Sequence, residues 1–157
     1  MRKVIQSMNM TVNYLLILIL IVLIVAVFCQ VLFRFVLNQP LAWTEELSRY
    51  SLVWITFLGA AHAMATRSHI GMEAIVAKSP MALRRVLIVI SGIVCLGFFF
   101  IMVQQGWNLA ERSMTQLSPV LKIPMGLIYS VIPISGVLLS INLLDVTWQQ
   151  LKRGEEQ

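Results

Sequence analysis

Four long apolar segments separated by short polar ones dominate the pattern along this chain. Asp, Glu, Lys and Arg do not occur in residues 4–33, 50–66, 86–110 and 123–144. A helix rises about 1.5 Å per residue, so roughly 20 apolar residues cross the hydrocarbon core of a bilayer. Backbone groups in lipid must be satisfied within the spanning structure, which favours helices over an open sheet. The pattern therefore predicts an all-α integral membrane protein with four transmembrane helices.

The four predicted spans belong to one membrane domain, residues 1–157. They cover approximately residues 11–34, 47–66, 84–108 and 124–146. Short interfacial helical segments are predicted near 41–50 and 69–78, where apolar and charged residues are mixed. Gly59 and Ala63 give the second helix a spacing of small residues that lets another helix approach closely. Pro133 lies inside the fourth span, where its missing N–H predicts a kink.

Composition and charge support the membrane assignment. The chain is 59% hydrophobic and 12% charged, whereas soluble domains are about 45–50% apolar and about 25% charged. If both termini are cytoplasmic, the inner segments hold eight Lys and Arg residues and the outer segments hold four. This excess predicts cytoplasmic N- and C-termini. The net charge of +5 then fits a cytoplasmic face over anionic lipid, and we expect no nucleic-acid partner.

Residues that could support catalysis are sparse in the predicted spans. The spans hold one histidine, His62, and two widely separated cysteines, Cys29 and Cys95. Catalysis requires a nucleophile with a base or a metal cluster, and an ion-coupled carrier places ionisable groups at mid-membrane depth. We therefore predict no enzyme activity, no catalytic or metal site and no cofactor. The alternative is a stand-alone four-helix protein with redox (haem or quinone) or small-exporter activity.

The most informative polar cluster lies at the start of the second helix. Glu45 and Arg49 are spaced i,i+4, and Glu46 and Arg49 are spaced i,i+3, so both pairs can form on one helix face. Trp43 and Trp54 bracket this cluster, as tryptophans do at a membrane interface. The cluster is either a solvated helix start or a contact with a partner subunit, in which half-buried charges fix the register.

Three sequence blocks, in order along the chain, carry a family resemblance. They are Arg34 with 43–50 and Val53-Trp54, then 67–72, then Ser118-Pro119 with 122–126, Tyr129, Pro133 and Gly136. Together they resemble the small permease subunit of tripartite ATP-independent periplasmic (TRAP) transporters. The resemblance covers essentially the whole chain in length, number of spans and block order.

The resemblance implies a scaffold subunit in the bacterial inner membrane. Its expected partners are a large TRAP permease subunit, which carries the ion and substrate sites, a periplasmic substrate-binding protein and membrane lipid. Uptake in this family is driven by an ion gradient, commonly sodium, and the substrates are mostly organic acids. The candidate structural or subunit-interface residues are Arg34, Trp43, Glu45, Glu46, Arg49, Tyr50, Trp54, Pro124, Tyr129 and Pro133.

Overall fold

The described part of the chain, residues 2–66 and 81–153 of the computed structural model, is almost entirely helical. Its five helices are α1 (Arg2–Phe35), α2 (Ala42–Ala65), α3 (Met81–Arg112), α4 (Met125–Tyr129) and α5 (Val131–Arg153). Within these two ranges, extended backbone pairing is limited to one bridge between Leu117 and Pro124. The predicted all-α membrane fold is confirmed.

Three helical stretches of the described residues are long and apolar enough to cross a membrane. They are Ile5–Phe35, Val86–Arg112 and Met125–Trp148, the last of which combines α4 with most of α5. The helix α2 is the fourth of the predicted set and is more polar, because it begins with charged residues and continues with small ones. It lies between α1 and α5, so the chain itself covers two of its sides.

Two of the predicted local features take a different form in the structure. The interfacial segment near 41–50 is helical but continuous with α2, and the segment near 69–78 lies outside the described residues. The disruption predicted at Pro133 falls at Ser130, where the last helical stretch is interrupted. Pro133 has no N–H to donate to the carbonyl of Tyr129, and its ring crowds that carbonyl, so the helix breaks just before the proline.

The long helices pack side by side in the order α1, α2, α5, α3, and the short helix α4 connects α3 with α2. The helices α1 and α3 are therefore the two edges of the arrangement. Both expose large apolar side chains along most of their length, including Leu18 and Phe28 on α1 and Val94 and Phe100 on α3. Such surfaces are suited to lipid contact.

Apolar side chains hold α2 and α5 to their neighbours in two clusters. One cluster joins α2, α3 and α5 through Ala61, Met64, Phe99, Leu139 and Leu143. The other joins α1, α2 and the start of α5 through Val12, Leu58 and Val131.

Glycines bring the backbones of α3, α4 and α5 unusually close together. A Cβ on Gly136 would lie 2.7 Å from Val103 Cγ2, and a Cβ on Gly126 would overlap the carbonyl oxygen of Ala110. Real Cβ atoms do not approach other heavy atoms this closely. The absence of a side chain at these two positions is therefore what permits the close helix contact.

Candidate functional site

A buried carboxylate fixes the start of α2 to the loop between α3 and α4. Glu46 Oε2 accepts hydrogen bonds from the backbone N–H groups of Val120 and Leu121, at 3.0 and 2.9 Å. Glu46 Oε1 accepts a hydrogen bond of 2.5 Å from the Tyr50 hydroxyl, and the buried side chain of Ser118 helps to stabilise the charge of the same carboxylate. We call these five residues the Glu46 clamp.

The loop half of the Glu46 clamp is closed on itself. The N–H of Ser118 donates to the carbonyl of Ile123 at 2.9 Å, and the N–H of Ile123 donates to Ser118 Oγ at 3.2 Å. Lys122 takes the left-handed backbone conformation, with φ 55°, that the tight turn requires. Two successive N–H groups, at Val120 and Leu121, are left to bind an anion.

Glu46 stays ionised although only 7% of its surface is exposed. Burial by itself raises the pKa of this carboxyl group. The hydrogen bonds from Ser118, Tyr50, Leu121 and Val120 outweigh burial and lower the pKa from 4.5 to about 2. Donors that stabilise the charged form have this effect on a carboxylate. The charge is therefore balanced by hydrogen-bond donors and does not need a basic partner.

The predicted pairing of Arg49 with both glutamates is wrong for Glu46. Arg49 Nη2 lies 3.2 Å from Glu45 Oε1, and the two side chains are 70% and 64% exposed. Glu46 is turned toward Tyr50 and the loop instead, because that side of α2 is buried. An exposed pair of this kind contributes about 0–1 kcal/mol to stability. Glu46 is therefore the residue of this cluster that contributes most to the stability of the fold.

The other aromatic and basic candidates near this end are not part of the Glu46 clamp. Arg34 is exposed, with its guanidinium 5.8 Å from the centre of the Phe35 ring; within residues 2–66 and 81–153 no ion pair or hydrogen bond joins Arg34 to α2. Trp43 is exposed. Trp54 is half-buried and packs against the cluster that contains Val12 and Leu58.

The three remaining candidates lie where α3, α4 and α5 meet. Pro124 directly precedes α4, and Tyr129 is the last residue of that helix. Pro133 is buried, and a Cβ added to Gly106 would lie 2.9 Å from its Cδ. These residues shape the connection between helices, while the hydrogen bonds of the Glu46 clamp come from other side chains.

A second polar junction, which the sequence reasoning missed, joins three helices. Asn142 Nδ2 donates to Asn9 Oδ1 at 3.1 Å and to the carbonyl of Ala61 at 2.9 Å, while Asn9 Nδ2 donates to Asn142 Oδ1 at 2.9 Å. Asn142 is 1% exposed. We call these three residues the asparagine tie. Asn142 could have been recognised in the sequence as a single amide inside a charge-free segment, because buried amides in membrane helices form hydrogen bonds to neighbouring helices.

Comparison with known proteins gives a family for this chain. Residues 23–153 match the family model described as "Tripartite ATP-independent periplasmic transporters, DctQ component". A protein of Haemophilus influenzae that carries the name TRAP transporter small permease protein is 29% identical over 144 residues, which are 92% of this chain and 89% of that protein.

Two further relatives differ in how much of their own length this chain spans. The ectoine TRAP transporter small permease protein TeaB of Halomonas elongata is 34% identical over 119 residues, 73% of this chain and 61% of TeaB. The isethionate TRAP transporter permease protein DctMQ of Oleidesulfovibrio alaskensis is 29% identical over 124 residues, 74% of this chain and 20% of DctMQ.

The family match covers well over half of the chain and agrees with the resemblance of the three sequence blocks. Members of this family are membrane subunits of transporters and not enzymes, which removes the redox-enzyme alternative. Their place is the inner membrane, as expected for a chain with three or more membrane-spanning helices. The chain belongs to the DctQ component family and is the small permease subunit of a TRAP transporter.

Proposed function

We propose that this chain is a rigid scaffold for the large permease subunit of its transporter. In this proposal a periplasmic binding protein delivers an organic acid to the complex, and an ion gradient drives the uptake of that acid. The relative DctMQ supports the partner, since the segment that matches this chain is one fifth of a fused permease. The names of the relatives specify isethionate, ectoine and C4-dicarboxylates, so we infer that other parts of the transporter select the substrate.

The proposal also includes the topology of the chain. Four spans, with α2 as the second, return the chain to its starting side, and the excess of Lys and Arg favours the cytoplasm for both termini. The Glu46 clamp then lies on the periplasmic side, and the asparagine tie lies toward the cytoplasmic side.

The observation that carries the scaffold proposal is that α2 is fixed at both ends. Glu46 binds the loop before α4, and Ala61 receives a hydrogen bond from Asn142 of α5. These residues are separated by about 22 Å along the helix axis at 1.5 Å per residue. With these two junctions, α2 cannot slide or rotate against the loop before α4 or against α5 without breaking directed hydrogen bonds.

The helices α3 and α5 also have little freedom to shift against each other. Gly136 lies against Val103 and the carbonyl of Phe99, and Gly106 lies against Ile132 and Pro133. Interlocked small residues leave no gap into which either helix could shift, because packed interiors respond in discrete steps and not by continuous deformation. A subunit built this way is suited to hold still while a neighbour moves.

A disulfide across this contact tests whether the subunit has to move during transport. A Cβ on Gly92 would lie 3.8 Å from Thr147 Oγ1, so these two positions are neighbours across the contact and a cysteine pair can be placed there. The variant carries Gly92→Cys and Thr147→Cys, with Cys29→Ser and Cys95→Ser to remove the native thiols. It is reconstituted with its large permease and binding protein in proteoliposomes, and uptake is measured before and after oxidation.

We expect uptake to be the same in the oxidised and reduced states, because a scaffold does not change shape during the cycle. Uptake that disappears on oxidation and returns on reduction would show that α3 and α5 move, and would overturn the proposal. Each single-cysteine variant serves as a control for the substitutions themselves. Proteoliposomes without this chain should show no uptake, and full uptake in its absence would contradict a required scaffold.

A further inference from the structure

One face of α2 is not covered by the rest of the described chain. Its exposed residues recur every three or four positions: Ala42, Glu45, Arg49, Leu52, Thr56 and Ala60. At 3.6 residues per turn these positions share one side of the helix, with Gly59 and Ala63 half-buried at its edges. We call this side the open face of α2. From residue 42 to residue 63 it extends about 32 Å, from the interfacial start of α2 through most of the hydrocarbon core, which is about 30 Å thick.

The open face differs in chemistry from the exposed surfaces of the edge helices. Its one large apolar side chain is Leu52, and the Glu45–Arg49 ion pair lies at one end. By contrast, α1 and α3 expose many large apolar side chains at mid-helix, including Phe28 and Phe100. Lipid chains contact large apolar side chains well, whereas small and polar residues are enriched where membrane helices contact each other.

The hydropathy of α2 also indicates that protein, and not lipid, covers the open face. Unlike the other three long helical stretches of the described residues, α2 is not apolar enough to be identified as a span by composition. A membrane helix with that composition is stable when protein covers its surface, and α1 and α5 cover only part of it.

The middle of the open face, around Thr56 and Gly59, is free of steric and polar obstacles to a neighbouring helix. A Cβ placed on Gly59 meets no heavy atom within 4 Å. The Thr56 hydroxyl is already bonded to the carbonyl of Leu52 at 2.8 Å, so no unsatisfied hydroxyl donor is left on this part of the face. A second helix can therefore approach close to the backbone of α2, and its contact would extend over the depth of the membrane.

We propose that a transmembrane helix of the large permease subunit packs along the open face of α2. This inference rests on the proposed function, which supplies the partner. Because the face runs through the depth of the hydrocarbon core, its occupant spans the membrane, which excludes a water-soluble binding protein. The fused relative DctMQ supports the large permease as that occupant, since this chain matches part of a longer permease.

Two glycines provide a matched pair of substitutions. Gly59 lies at the open face of α2, and Gly97 lies on the exposed side of α3; an added Cβ meets nothing within 4 Å at either position. Gly59→Leu and Gly97→Leu therefore add the same side chain at positions where its Cβ meets no other heavy atom of the subunit. The Tm of each isolated variant checks that the subunit still folds. Each variant is co-expressed with the wild-type large permease in bacterial membranes, and the complex is purified through a tag on the large permease.

We expect Gly59→Leu to reduce the recovered small subunit roughly tenfold, the change that about 1.4 kcal/mol of lost binding produces. Gly97→Leu should be recovered like the wild type, because α3 faces lipid there. Equal recovery of both variants, or a loss confined to Gly97→Leu, would overturn the proposal. If the wild-type chain itself is not recovered with the large permease, the proposed function fails, and this inference fails with it.

A cysteine at the same position distinguishes the other possible occupants. Gly59→Cys, with Cys29→Ser and Cys95→Ser, should react with a membrane-permeant maleimide in the isolated subunit and be protected in the complex. Equal labelling in both states would assign the face to lipid, and an oxidant-induced crosslink between two small subunits would assign it to a second copy. Either result would overturn the proposal.

Discussion

Asn9 and Asn142 exchange two side-chain hydrogen bonds, of 2.9 and 3.1 Å, although 133 positions separate them in the sequence. The exchange joins the start of α1 to the middle of α5. Asn142 also donates to the backbone of α2 at Ala61, so one buried amide holds three helices together. In lipid, where water cannot replace a lost partner, such an amide has few alternative partners.

Asn142→Ala should destabilise the subunit more than Asn9→Ala does. The first substitution removes every bond of the asparagine tie, about 1–2 kcal/mol in total, whereas the second leaves the bond to Ala61 in place and costs about 0.6 kcal/mol. Thermal unfolding of the purified subunit in detergent measures the difference. Asn13→Ala, one turn further along α1, is the control and should leave Tm unchanged. Equal losses for Asn9→Ala and Asn142→Ala would contradict the hub role of Asn142.

Glu46→Gln should loosen the loop between α3 and α4. The glutamine amide keeps one acceptor oxygen, so it can accept either the N–H groups of Val120 and Leu121 or the Tyr50 hydroxyl, but not both sets as Glu46 does. The bonds that remain also lose the carboxylate charge. We expect a lower Tm and faster proteolysis within residues 113–124. Glu45→Gln changes the same charge on an exposed side chain and should alter neither readout. The prediction fails if the two variants behave alike.

The Glu46 clamp should give the subunit an acid-sensitive stability. The pKa of Glu46 is about 2 in the folded chain and 4.5 without these contacts, so the unfolded state takes up the proton first as pH falls. The stabilisation is therefore complete above about pH 4.5 and is lost between there and about pH 2. The difference in Tm between the wild type and Glu46→Gln should be constant from pH 5 to 8 and shrink below pH 4.5. A difference that grows as pH falls would contradict this sign.

Periodicity and charge predict the helices of this protein well, because a membrane makes length and apolarity decisive. The predicted spans 11–34 and 84–108 lie within α1 and α3, and the span 124–146 corresponds to α4 and α5. Pro133 explains why the helix breaks at Ser130 and not at the proline itself, because Pro133 affects the carbonyl group four residues earlier in the chain. Local sequence rules are sufficient for these features.

The polar junctions could not be predicted in the same way, because they depend on which helices become neighbours. Sequence spacing offered Arg49 as the partner of Glu46, yet the partners are Tyr50 on the same helix and two backbone groups, Val120 and Leu121, more than 70 residues away. Backbone N–H groups have no sequence signature from which an anion site could be predicted. Likewise, Asn142 was visible as a lone amide, but its partner on α1 follows only from the packing order.

Gly126→Ala should be among the most destabilising single-methyl substitutions in this chain. The added Cβ would overlap the carbonyl oxygen of Ala110 and lie 2.7 Å from Met114 Sδ, so α3 and α4 would have to separate. We expect a cost of about 1–3 kcal/mol, as for overpacked cores. Gly97→Ala, where the new methyl meets nothing, should be neutral or raise stability by about 0.5–1 kcal/mol through helix propensity. Chemical unfolding in mixed micelles compares the two variants, and a similar loss for both would contradict the close contact.

Arg49→Ala and Glu46→Ala should both reduce transport, but for different reasons. Glu46 holds the loop to α2, so Glu46→Ala should lower the Tm of the isolated subunit and reduce assembly as a consequence. Arg49 is exposed and contacts Glu45. Its loss should therefore lower the free energy of unfolding by no more than a surface ion pair contributes, about 0.3–0.5 kcal/mol, and should change Tm little.

Because Arg49 lies at one end of the open face of α2, Arg49→Ala should still reduce recovery with the large permease. Measuring Tm and co-purification on the same preparations separates the two effects. An Arg49→Ala subunit that melts as early as Glu46→Ala would show that Arg49 supports the fold and not the contact with the partner.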